Sequence, residues 1–175
     1  MNTLQLLGGT MRKVLLICLT ILIAIAIIGL FTFLIIYNGI QNDMSEMEER
    51  SINQAKSNSP IETVEGVRQF NGQSSYIVVT GQNENEKLLH AFIPDSNDEE
   101  LEVEWVEAEE GLTEEEMLTE WRNNCSQCDL MSITPGIMNS RYVWEIIYEE
   151  NNRIYFQTYR FINGEIYDSI SFNKD

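Results

Sequence analysis

The pair Cys125 and Cys128 is the part of the sequence that most suggests chemistry. A C-x-x-C pair can form a disulfide, exchange thiols or bind a metal. Thiol exchange needs a thiolate of low pKa, whereas this pair follows a predicted helix C-terminus, where the helix dipole disfavours the anion. A zinc site needs more ligands, and the sequence has no second C-x-x-C. A structural disulfide is the favoured interpretation, with free thiols and redox or metal work as alternatives.

The other residues of catalytic type do not form a recognisable site. His90 is the only histidine and falls on a predicted strand with no serine placed beside it, which favours a structural role. The segment 95–100 (DSNDEE) has calcium-like spacing, but Glu100 stands where an EF-hand turn needs glycine. We reject an EF-hand and keep weak surface cation binding as an alternative. We therefore predict a protein that is not an enzyme, with no catalytic residue, cofactor or metal.

A long apolar run precedes all of these residues. Residues 14–37 (VLLICLTILIAIAIIGLFTFLIIY) carry no charge, and as a helix they span about 36 Å, enough for a bilayer core of about 30 Å. The run is too long for a cleaved signal peptide and lacks the small residues of a cleavage site. Arg12 and Lys13 precede it and an acidic flank follows. The positive-inside rule predicts a cytoplasmic terminus (1–13), a transmembrane helix (14–37) and an extracellular remainder.

The first ten residues form no recognisable element. Met11 is followed by two basic residues and then by the apolar run, which is typical of the start of a membrane protein. We expect translation to begin at Met11, and mass spectrometry of the native N-terminus tests this.

The charge of the chain restricts its partners. The formal net charge is −17, from 28 acidic and 11 basic residues, and all of the acidic residues follow the apolar run. Such an excess argues against binding nucleic acid or anionic lipid through a basic face. Most of these acids are expected only to keep the domain soluble.

Beyond the apolar run, a helix followed by strands occurs twice. The first set is a helix over 42–57 and strands at 63–70, 73–80, 87–93 and 101–105. The second is a helix that starts with a capping box at Thr113 and Glu116, then strands at 130–133, 141–148, 153–162 and 165–172, with Pro135-Gly136, Asn151-Asn152 and Asn163-Gly164 as turns. We predict an α+β fold of two tandem units, 38–110 and 111–175, each a helix packed on an antiparallel sheet.

Aromatic side chains concentrate on two adjacent strands of the second unit. Tyr142 and Trp144 share one face of their strand, and Tyr155 and Tyr159 share one face of the next. Packing in the core and in the seam between units is the favoured interpretation. The alternative is a partner surface, because exposed aromatic residues anchor many interfaces.

Several segments, in their order and spacing, resemble one family. They are VRQFNG (67–72), YIVVTG (76–81), FIP (92–94), EGLTEE (110–115), VWEIIY (143–148) and YRF (159–161) before NGEI (163–166). Together with Met11-Arg12-Lys13 and one apolar run, they make the chain similar to the TseB-like (YpmB-like) cell-wall elongation regulators of Gram-positive bacteria. These are small single-pass membrane proteins with a PepSY-related, cystatin-like outer domain.

The resemblance implies paired PepSY-like units outside the cell membrane, with no catalytic residues to carry over. It implies a regulator or adaptor that contacts an elongation-type penicillin-binding transpeptidase or another wall-synthesis protein. The alternatives are a PepSY-type inhibitor or modulator of an extracytoplasmic peptidase, and a thiol oxidoreductase that uses Cys125 and Cys128. Those two cysteines depart from the family pattern, as does the acidic stretch before the second helix.

Overall fold

The computed structural model describes residues 3–95 and 102–174. The elements are α1 Thr3–Asn58, β1 Thr63–Asn71, β2 Ser75–Gln82, β3 Leu88–Pro94, β4 Glu104–Glu107, a 3-10 turn Ala108–Glu110, α2 Glu114–Asn124, β5 Asp129–Met138, β6 Arg141–Glu150, β7 Arg153–Arg160 and β8 Ile166–Asn173. The chain forms two compact units, Met1–Met47 and Glu48–Asp175.

In the first unit the described backbone is the helix α1. It starts at Thr3, so residues 3–10, for which the sequence predicts no element, are helical. The described side chains within 16–37 are all exposed. The predicted transmembrane helix lies inside α1, but its side chains at 14, 15, 17, 18, 20, 35 and 36 lie outside the described set, as do those of 1–13. Among the residues that the structure describes, no helix combines the length and the apolar character that a membrane crossing requires.

The second unit contains two four-stranded sheets in which every strand pairs with its neighbour along the chain. All the strand pairs are antiparallel, and the predicted α+β class is confirmed. The hairpin turn predicted at Asn151-Asn152 is present between β6 and β7. At Asn151 and Asn152, φ is 50° and 61°, the positive values that a tight two-residue hairpin needs.

The strand β5 differs from the prediction. Pro135 and Gly136 were expected to form a turn, but β5 runs through both of them to Met138, and the turn follows at residues 139–140. Since β5 is an edge strand, a proline without an N–H is tolerated there. A Cβ atom at position 136 would overlap the ring of Phe70, so glycine is required for the approach of β1. The predicted strand at 101–105 also differs, because β4 begins at Glu104 and residue 101 lies outside the described residues.

The helix α2 begins as predicted. The Thr113 hydroxyl accepts a hydrogen bond from the backbone N–H of Glu116, and the Glu116 carboxylate accepts one from the backbone N–H of Thr113 (2.9 Å). The hydrogen bonds that this carboxylate accepts from the Thr113 backbone N–H and from the Thr113 hydroxyl lower the pKa of Glu116. Met117 and Trp121 are the buried residues of this helix, and the Trp121 ring lies 5.5 Å from that of Tyr148 on β6. The helix therefore packs on one face of the second sheet, called the inner face below.

The two sheets share one hydrophobic core. Phe92 of β3 stacks on Tyr142 of β6 with ring centroids 5.4 Å apart, and Phe70 and Val78 belong to the same cluster as the inner face of the second sheet. The element order repeats a helix followed by four strands. Near the end of α1, Ser51 and Ala55 are buried. Residues 48–175 form one compact unit, in which the two four-stranded sheets share this core.

Candidate functional site

The structure joins Cys125 and Cys128 in a disulfide, with their Cα atoms 5.5 Å apart. Cys125 is the residue directly after α2 and Cys128 directly precedes β5, so the bond ties the helix exit to the strand. A third group lies beside them that the sequence analysis missed. A carboxylate oxygen of Glu150 lies within 4.8 Å of both sulfur atoms. The signal for it is the β5–β6 register, in which Asp129 pairs with Glu149 and so brings the end of β6 to the cysteine pair.

His90 is buried between the two sheets. Its side chain is 2% exposed, and its ring meets those of Trp144 and Phe161 edge-on at centroid distances of 5.5 and 6.2 Å. Its Nδ1 hydrogen-bonds to the Thr80 hydroxyl at 2.9 Å, while Nε2 has no hydrogen-bond partner among the described residues. Burial, together with the charge of Arg68, lowers the pKa of His90 to about 4. His90 is therefore a neutral side chain packed in the core, out of contact with solvent.

The four aromatic residues predicted as an alternative partner surface lie on the inner face of the second sheet. Trp144 is fully buried and Tyr159 nearly so. Tyr142 is half-buried and donates a hydrogen bond to the Trp105 carbonyl, and Tyr155 stacks on Tyr148 at 4.9 Å. Alternate residues of β6 and β7 point towards α2 and the first sheet, which is the core packing that the sequence favoured, and Tyr142 and Tyr155 remain partly exposed. Trp144 and Tyr159 have no surface to offer a partner.

The opposite, outer face of the same sheet exposes large apolar side chains. Met131 and Phe172 are each 59% exposed, and Phe156 and Ile170 are also exposed. Phe156 pairs with Ile170 in the β7–β8 register and its ring lies 6.1 Å from that of Phe172. These exposures show that no described segment covers the strip formed by Met131, Phe156, Ile170 and Phe172, which we call the outer strip. Contiguous exposed apolar surface of this kind marks interaction sites in soluble domains.

A groove of about 650 Å³ borders the outer strip and is lined by β1, β5, β6 and Phe156 of β7. On one side, the Arg68 guanidinium donates to the Glu114 carboxylate at 2.7 Å and to the Ile133 carbonyl at 2.9 Å. On the floor, burial raises the pKa of Glu145, and no ion pair or hydrogen bond links its carboxylate to another described side chain. An apolar strip beside an unpaired, half-buried carboxylate suits a partner that brings apolar side chains and a cation.

The sequence could not separate this outer strip from the core. Ile166, Ile170 and Phe172 alternate with polar residues, which predicts a strand with one apolar face. The aromatic residues of β6 and β7 give the other side of the same sheet an equally apolar pattern. Only the placement of α2 and the first sheet decides which face is covered.

Comparison with known proteins finds a matching family domain and a similar fold. Residues 50–94, from the last turns of α1 to the end of β3, match the cell wall elongation regulator TseB-like domain. The fold is similar to that of the YpmB protein from Bacillus subtilis, with a TM-score of 0.59 and 22% sequence identity over 70% of this chain and 94% of that one. No curated protein sequence matches the chain. The resemblance to the TseB/YpmB-like family is thus confirmed: by sequence over residues 50–94, and in fold, which is all that the structural likeness establishes, over most of the chain.

Proposed function

We propose that this protein is a membrane-anchored, non-enzymatic regulator of cell-wall elongation that acts by contact with an elongation-type penicillin-binding transpeptidase. The match of residues 50–94 to the TseB-like regulator domain is the observation that carries this proposal. The chemistry of the described residues agrees with it. His90 is buried and neutral, and the two cysteines of the second unit are joined to each other.

The anchor we propose is the apolar run 14–37. Its described side chains from 21 to 34 are exposed all around α1 and carry no charge. A helix that is apolar on every side is stable in lipid or inside a large protein core. With Arg12 and Lys13 on the cytoplasmic side, residues 48–175 stand outside the cell membrane. Protease added to intact spheroplasts is expected to remove that part. Its survival in intact spheroplasts, together with its digestion once the membrane is permeabilised, would contradict this orientation.

The contact surface we propose is the outer strip with its groove. Burying exposed apolar side chains stabilises a complex by about 25 cal/mol for each Å² removed from water. A lysine or arginine of the partner opposite Glu145 would compensate the half-buried carboxylate, whose own burial is unfavourable without a counter-charge. The outer strip thus supplies attraction, and Glu145 supplies selectivity for a cationic partner segment.

The proposal is tested by co-purification from detergent-solubilised membranes of the producing cells. Three forms of the tagged full chain are compared: the natural one, the double variant Phe156→Ser/Ile170→Ser, and the matched control Ile162→Ser. Ile162 is 77% exposed but lies outside the outer strip. Co-purified proteins are labelled with a fluorescent penicillin. A labelled transpeptidase is expected with the natural chain and the control and at least about tenfold less with the double variant. Its absence from the natural chain would overturn the proposal.

A further inference from the structure

We propose that Cys125, Cys128 and Glu150 form a binding site for a thiophilic divalent metal ion, such as Zn²⁺, when the disulfide is reduced. The oxidised pair is then the closed state of the same site, in which the sulfur atoms are bonded to each other and bind no metal. This proposal does not depend on the proposed function, because it concerns a different part of the second sheet.

The fold brings the three groups together from separate elements. Cys125 follows α2, Cys128 precedes β5, and Glu150 is the last residue of β6. All three side chains are half-buried, and their ligand atoms lie within 4.8 Å of one another. Zinc holds thiolate sulfur at about 2.3 Å and carboxylate oxygen at about 2.0–2.2 Å, which separates ligand atoms by roughly 3.5 Å in a tetrahedral site. After reduction, side-chain rotations that part the two sulfur atoms and bring the carboxylate nearer would place the three ligands around one ion.

The electrostatics of the site favour a cation. Two thiolates and one carboxylate would place three negative charges within a few ångströms, which is unfavourable without a counter-ion. The helix α2 ends at this point, and the negative end of its dipole also favours a cation here. The neighbouring carboxylate of Glu149 accepts from the Lys174 ammonium at 2.6 Å, so that cation is engaged elsewhere. A divalent ion would offset charges that no described basic side chain neutralises.

Reduction opens the site and oxidation closes it. A thiol reductant supplies two electrons and two protons, the bond between the sulfur atoms breaks, and the reductant becomes its own disulfide. Metal binding then releases the two thiol protons. In the reverse direction a small-molecule disulfide takes the two electrons of the dithiolate and, with two protons from water, becomes two thiols, so the bond between Cys125 and Cys128 forms again and the ion is released. Sulfur ligands select Zn²⁺, Cd²⁺ or Co²⁺ over Mg²⁺ and Ca²⁺, and the fourth coordination position is open to water.

The test is a cobalt titration of the full chain in detergent micelles, with and without reduction by tris(2-carboxyethyl)phosphine. Bound Co²⁺ gives an intense thiolate-to-metal charge-transfer band, which Zn²⁺ abolishes on displacing it. The band is expected in the reduced chain only. A reduced chain that keeps its natural far-ultraviolet circular dichroism and yet shows no such band would overturn the proposal.

Two single variants isolate the carboxylate. Glu150→Gln is compared with Glu149→Gln, which removes the adjacent carboxylate of the same strand. Because even second-shell partners change metal affinity by about 10- to 100-fold, Glu150→Gln is expected to weaken Co²⁺ binding at least about tenfold, and Glu149→Gln to change it less than about twofold. Cys125→Ser is expected to remove the band. Equal affinities of the natural chain and Glu150→Gln would overturn the three-ligand site.

Discussion

The burial of His90 makes the stability of the folded chain depend on pH in a window that can be worked out from its surroundings. The ordinary pKa of histidine is 6.5, and burial between the sheets lowers the pKa of His90 to about 4. The folded state therefore binds this proton less readily than the unfolded state. The contribution of neutral His90 to stability is fully present above pH 6.5 and is lost as the pH falls towards 4. One pKa unit corresponds to about 1.4 kcal/mol, so the full effect is about 3 kcal/mol.

Urea unfolding of the full chain in micelles, followed by tryptophan fluorescence, measures this effect at pH 7 and pH 5. Linkage predicts that His90 lowers the free energy of unfolding by about 2 kcal/mol between these two values. The matched variant His90→Phe fits the aromatic environment of Trp144 and Phe161 and cannot titrate. Carboxylates such as Glu116 and Glu145 also contribute to the pH dependence, but they do so in both proteins. The difference between the two proteins therefore isolates the histidine.

Two results would refute this reasoning. One is an identical change of stability with pH in the natural chain and in His90→Phe. The other is a His90 pKa near 6.5 in the folded protein, measured by NMR from its ring protons. The NMR measurement also decides the question if His90→Phe does not fold.

Three further predictions concern stability and use the same urea assay at pH 7. Trp144→Ala removes a fully buried side chain and is expected to cost about 3–5 kcal/mol; a loss below 1 kcal/mol would place it outside the core. Thr113→Ala removes the cap of α2 and is expected to cost about 1 kcal/mol; no loss would mean that the capping box is unimportant. Gly136→Ala forces a methyl group against Phe70 and is expected to cost about 1–3 kcal/mol, whereas Gly66→Ala, in open space, is the control; equal effects would contradict the packing of β1 on β5.

Features determined by neighbouring residues were predictable from the sequence. The capping box at Thr113 and the hairpin at Asn151-Asn152 depend on side chains and backbone angles within a few residues. The strand at Pro135-Gly136 was missed because the proline is tolerated there by the edge position of β5, and edge position is a property of the whole sheet. In the sequence, Gly136 indicates a turn. In the structure, glycine is needed at this position because the Phe70 ring of the first sheet leaves no room for a Cβ atom.

The candidate sites depended even more on long-range geometry. The sequence identified the aromatic positions of β6 and β7. It did not show which face of the sheet is covered, because α2 and the first sheet decide this and together bury Trp144. Glu150 lies near the cysteine pair because of the register between β5 and β6. That register depends on both strands and on the turn that joins them, and here the turn was predicted at the wrong place. No short segment of the sequence indicates that the two sheets pack around His90. Because of this, the sequence could not distinguish the outer strip from the core.

Site-specific photo-cross-linking in the producing cells tests the central claim most directly. A photoreactive amino acid is placed at Ile170, on the outer strip, or at Glu120, an exposed position of α2 on the other side of the same sheet. Cross-linked partners are identified by mass spectrometry. We expect an elongation-type penicillin-binding transpeptidase to be captured from position 170 and not from position 120. Capture of no wall-synthesis protein from position 170, or equal capture from both positions, would contradict the account.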